Sequence, residues 1–66
     1  MSTLSFKAYC IENYAEYKNA SSSMIFNKFE KSGLLAHLDS DYEDLHGMGK
    51  EFLMQYFDRW FGEEEE

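Results

Sequence analysis

Sixty-six residues, 18% of them aromatic, with one cysteine and a net charge of −7, describe one small domain and exclude a second core. A single Cys rules out an intrachain disulfide framework, and one Cys with two His rules out a zinc knuckle. The acidic balance disfavours binding to nucleic-acid backbone or to anionic membrane, because nothing resembles a basic stripe that could neutralise phosphates.

The charge is unevenly spread. Glu63 to Glu66 carry four of the negatives, which leaves −3 over residues 1–62. A domain this short buries roughly 60% of the surface its unfolded chain exposes, so it needs an unusually rich core or a partner. The aromatic content supplies the first, since large rings bury about 150–250 Å² each. No apolar run approaches the roughly 20 residues of a membrane span. The first residues lack the basic lead and apolar block of an export signal, and the lone cysteine suits a reducing compartment. A cytoplasmic protein is expected.

In chain order, the first helix is expected over about 4–18. Phe6, Tyr9, Cys10, Ile11, Tyr14 and Tyr17 share one side, opposite Ser5, Glu12 and Glu16. Ser2 or Thr3 can cap it. Ser21-Ser22-Ser23 then offers N-caps for a second helix over about 22–32, with Ile25, Phe26 and Phe29 inward and Gly33 as the left-handed stop. The third segment, 34–46, places Leu34, Leu35, Leu38, Tyr42, Leu45 and His46 on one arc. Asp39-Ser40-Asp41 is poor helix material and good capping material, so this segment is one helix or breaks near 39–41, with Asp39 or Ser40 as the new cap.

Gly47 and Gly49 turn the chain into a last helix over about 49–61. There Phe52, Leu53, Tyr56, Phe57, Trp60 and Phe61 share a broad side, opposite Gln55, Asp58 and Arg59. No other stretch offers as much ring area, and the other helices are expected to pack around it. Four glutamates at a helix C-terminus oppose the macrodipole, so 63–66 is expected to fray as an acidic tail. The reading is an all-α compact bundle of four short helices forming one domain over 1–62.

Chemistry-bearing residues are few. His46 closes the third segment, where an imidazole donates to otherwise unpaired carbonyls; a base or metal ligand there would need a second group at a recognisable spacing. His37 falls on the polar side and is expected to be solvated. Cys10 lies mid-stripe and reads as a small buried hydrophobe. Asp39, Asp41, Glu43 and Asp44 fail as a calcium loop, because Asp44 and Lys50 stand where Gly and Glu would have to be. No phosphate loop or catalytic triad pattern is present. Catalytic, cofactor-binding and metal-binding residues are therefore expected to be none.

Phe6, Cys10-Ile11-Glu12, Tyr14, Phe29, Gly33, Tyr42, Leu45-His46 and Gly49 together resemble the skeleton of the bacterial domain-of-unknown-function 3791 family. The similarity covers roughly residues 4–61, and Leu-His-x-x-Gly with its upstream Tyr is its most specific part. His37, where the family tends to have an aromatic residue, and Gly47-Met48, in place of more polar residues, depart from the pattern. The family has no established activity. Its members are often encoded beside a protein resembling ADP-ribosyltransferases, in an arrangement like a toxin–antitoxin pair. The resemblance thus implies a small partner-binding, antitoxin-like component.

The functional expectation is a non-enzymatic helical module that binds a protein, an ADP-ribosyltransferase-like enzyme among the candidates, or itself as a homo-oligomer. Tyr14, Tyr42, His46, Gly49, Tyr56 and Trp60 are the structural or interaction candidates. Two alternatives belong to other classes. One is an acidic nucleic-acid mimic, which needs Asp39, Asp41, Glu43, Asp44 and the tail on one continuous surface. The other is a small enzyme or metal site centred on His46.

Overall fold

The computed structural model describes residues 1–64, and all of its regular structure is helical. Helix α1 spans Thr3–Lys18, α2 Ser22–Ser32, α3 Leu34–Ser40, α4 Tyr42–Leu45 and α5 Lys50–Trp60. The all-α expectation holds, and the third segment is two helices. Neither Asp39 nor Ser40 caps the second piece. Asp41, at φ −105° and ψ 18°, is the junction residue, and its side chain makes no capping bond.

The other helix ends follow local chemistry. The Ser2 hydroxyl accepts from the Ser5 amide at 3.1 Å, and the Ser21 hydroxyl accepts from Met24 at 3.2 Å. Each satisfies one amide that the helix itself leaves unpaired. Helix α1 stops at Asn19 in the left-handed region (φ 55°), and Ala20 donates back to the Ala15 carbonyl at 2.9 Å. Asn is the non-glycine residue best suited to that conformation. Gly33 stops α2 at φ 83°, and Leu34 starts α3 directly.

Helix α1, not the aromatic-rich α5, is central: it packs against α2, α3 and α5. Phe6, Cys10 and Tyr14 recur every fourth residue and form one fully buried line along it. Around that line close Ile25 and Phe29 of α2, Leu34 and Leu38 of α3, Leu45 of α4, and Leu53, Met54 and Phe57 of α5. The rings meet as a cluster, with Tyr14–Phe57 centroids 5.6 Å apart and Phe29–Phe57 5.2 Å apart.

The inward arc of α5 differs from expectation. Leu53, Met54, Phe57 and Asp58 are buried, while Phe52 and Trp60 are 48% and 38% exposed. Phe26 of α2, expected inside, is 43% exposed. At the start of the acidic tail expected over 63–66, Glu63 contacts the helices. The Glu63 amide donates to the Asp58 carbonyl at 2.7 Å, and its carboxylate pairs with Lys18 and Lys28. Glu65 and Glu66 of that expected tail lie outside the described residues. No helix is long and apolar enough to cross a membrane, among the described residues.

The glycines separate by backbone need. A Cβ at Gly33 meets nothing within 4 Å, so any cost of replacing it is conformational. Gly33→Ala should lower stability by about 1–2 kcal/mol in urea denaturation, because alanine is strained at positive φ. Gly49, the residue before α5, has ordinary extended backbone and no side-chain cap. Gly49→Asp should raise stability by about 0.5 kcal/mol through a new N-cap and a favourable dipole contact.

Candidate functional site

Three groups of side chains could carry function: a buried polar network between α1 and α5, an aromatic face on α5, and a groove beside α1. The network is built around Asp58, only 5% exposed. Its Oδ1 accepts from the Tyr14 hydroxyl at 2.7 Å and lies 2.8 Å from the Lys18 ammonium. Its Oδ2 accepts from the Tyr17 hydroxyl at 3.0 Å. Lys18 also reaches Glu63 at 3.2 Å, and Glu63 pairs with Lys28, whose ammonium lies 4.5 Å over the Phe61 ring.

Burial works against the charged form of Asp58, but hydrogen bonds from Lys18, Tyr14 and Tyr17 together outweigh it and hold the carboxyl below its ordinary range. Desolvation, reinforced by the hydrogen bond to Asp58, raises the Tyr14 phenol far above its usual value. Three donors thus meet the carboxylate, two at Oδ1 and one at Oδ2. The arrangement ties α5 to the C-terminal end of α1 through a buried charge pair.

On α5, Phe52, Tyr56 and Trp60 recur every fourth residue and form a ridge. His37 of α3 meets it: its ring lies 4.7 Å from Trp60, and its Nε2 shares a 2.5 Å hydrogen bond with the Tyr56 hydroxyl. Asp41 Oδ2 sits 3.4 Å from the same nitrogen, and Trp60 Nε1 donates to Ser32 Oγ at 3.2 Å. His37 is therefore a half-buried packing residue, not the solvated one expected. Its partners lie 4 to 23 residues away, with only Asp41 within reach of a local pattern.

Near the N-terminus, Tyr42 and His46 stack at 4.4 Å, and the His46 Nδ1–H donates to the Tyr42 carbonyl at 2.9 Å. That bond closes the end of α4, the structural role expected of an imidazole there. The Tyr42 hydroxyl donates to the Met1 carbonyl, and its ring meets Phe6 edge-on. No group of three His, Cys, Asp or Glu residues could hold a metal, among the described residues.

The sequence candidates thus fall in three places. Tyr14 is sealed in the core, Tyr42 and His46 pair at the N-terminal end, and Tyr56 and Trp60 gather around His37. Gly49 stands between the last two as the start of α5. Asp58 was missed. Its signal was present in Tyr14, Tyr17 and Lys18, three donors on one face of α1 within a single turn.

Cys10 is fully buried, and desolvation pushes its thiol up to about 12. In the native protein it should resist a thiol-titrating disulfide reagent and react fully once denatured. Asp58→Asn should cost about 2 kcal/mol by urea denaturation at neutral pH, because one acceptor oxygen becomes a donor and Lys18 loses its buried counter-charge. Since the folded carboxyl titrates below its unfolded value, its contribution is complete above the ordinary carboxylate range and fades as pH falls through the folded value. The wild-type midpoint should therefore drop on acidification more steeply than that of Asp58→Asn.

Neither a curated protein nor a solved structure matches this chain. A family profile described as "Protein of unknown function (DUF3791)" does, over residues 5–58. That span runs from the first turn of α1 to the carboxylate that ties α5 to it, and the chain belongs to the DUF3791 family.

Proposed function

We propose that this chain is a non-enzymatic protein-binding module, acting in the cytoplasm through the α5 ridge of Phe52, Tyr56 and Trp60. The observation that carries this reading is the exposure of Phe52 and Trp60 while the core is already closed by other residues. Large rings left outside on one helix face, with no folding role that requires them there, are the side chains that dominate interface energetics. The Ser32 and His37 contacts hold Trp60 in one orientation, which lowers the entropy lost on docking.

The groups that could support catalysis are otherwise engaged. Cys10 is sealed in, His46 is bonded to its own helix, and Asp58 holds three donors from α1. The acidic-mimic alternative draws less support. Asp39 pairs with Lys7 at one end of α1 and Glu63 with Lys18 at the other, about 16 Å apart along the helix. The two acidic groups do not make one continuous surface.

The family resemblance makes an ADP-ribosyltransferase-like protein encoded beside this chain the first partner to test. Co-expression should yield a stable complex, and Phe52→Ser or Trp60→Ser should weaken it at least about tenfold by calorimetry. Circular dichroism should show both variants folded, since both side chains are substantially exposed. Size-exclusion with light scattering on the free chain reports self-association through the same ridge. A monomer that forms no complex, or a complex indifferent to both substitutions, would overturn the proposal.

A further inference from the structure

A second face of the molecule, distant in sequence from the α5 ridge, has the form of a receptor. Leu4, Ala8 and Ile11 recur along α1 at i, i+4 and i+7, and Phe26 of α2 and Leu35 of α3 stand across from them. Two adjoining depressions of about 430 and 280 Å³ share Ala8, Ile11 and Phe26 and run along the seam where α1 meets α2. The small Ala8 side chain opens the floor. Leu4, 77% exposed, and Phe26 form the walls, though nothing in the core requires either to be apolar.

The rim decides what can lie there. At one end Lys7 is neutralised by Asp39 at 2.9 Å. Along the seam stands Glu12, which accepts from the Ser22 hydroxyl, and Glu30 follows one helical turn after Phe26 in α2. Neither carboxylate has a cationic partner among the described residues. Lys28 and Lys31 fall on the other side of α2 at about 100° per residue. Lys28 is moreover committed to Glu63.

We propose that this groove docks an amphipathic helix of a partner protein, with aliphatic residues on one face and Lys or Arg flanking them. A shallow seam between two packed helices, with Leu4, Ala8 and Ile11 apolar at one-turn intervals, matches the i, i+3, i+4, i+7 anchors of a helix. Uncompensated carboxylates along the rim select cationic flanks. The same charges oppose the other occupants. A second copy of a chain with net charge −7 would bring its own acidic rim, and an anionic lipid surface would meet Glu12 and Glu30 without a free cation. The inference does not rest on the α5 ridge, and either surface can fail without the other.

The test uses the full chain, isotope-labelled, titrated with a synthetic end-capped peptide of about 15 residues, long enough to form helix. The peptide carries leucine at i, i+3, i+4 and i+7 and lysine on its remaining faces, and a twin replaces every lysine with glutamate. The lysine peptide should shift the amide resonances of Leu4, Ala8, Ile11, Phe26 and Leu35, and the glutamate twin should not. Phe26→Ser and Leu4→Ser, both at exposed positions, should each weaken binding about tenfold. Glu12→Gln with Glu30→Gln should weaken it about threefold at low salt and leave it unchanged at high salt. Phe52→Ser and Trp60→Ser should bind the peptide as the wild type does. Shifts confined to the ridge, equal binding of both peptides, or no binding of either would overturn the proposal.

Discussion

Tyr14 is the residue on which the arrangement of this protein turns, because it works in two media at once. Its ring lies within 6 Å of Phe29, Phe57 and Phe61, while its hydroxyl donates to a carboxylate from the far end of the chain. A buried Asp is unfavourable unless its oxygens are satisfied. Here Tyr14, Tyr17 and Lys18 satisfy it together. All three sit in the last turn of α1, so one short segment sets the position and rotation of α5.

The rotation has consequences for the surface. With Asp58 drawn inward beside Phe57, the buried arc of α5 centres on Leu53, Met54 and Phe57. Phe52 and Trp60 are then carried outward, and His37 and Ser32 receive Trp60 at the border. The exposed ridge accompanies the polar network, and rings stay outside where a fully apolar helix would have buried them. A similar trade occurs on α2, where Ile25 and Phe29 complete the core and Phe26 remains outside, beside Ala8 and Ile11.

The charges are arranged with equal economy. Lys7, Lys18, Lys28 and Arg59 each meet a carboxylate, leaving most uncompensated charge on the surface negative. The exposed pairs contribute little to stability. Lys18 is different, because it bridges a buried and an exposed acid and so holds the start of the tail against the end of α1. The result is a small helical body with two exposed apolar faces and a surround that is mostly acidic.

What the sequence by itself determined is the local part of this structure. Ser2, Ser21 and Gly33 mark helix ends because each capping contact is completed within a few residues, and the line of Phe6, Cys10 and Tyr14 follows from helical periodicity alone. The break near 39–41 was legible as an alternative, though not its junction at Asp41. Tertiary structure decided the rest. Around α5 the apolar arc is so broad that several rotations bury comparable area, and the choice fell to donors 40 to 44 residues upstream. His37 acquired its role in the same way, from Tyr56 and Trp60 on a helix it does not adjoin in sequence. Periodicity records which side chains share a face, but only packing between distant segments determines which part of a wide face is turned away from water.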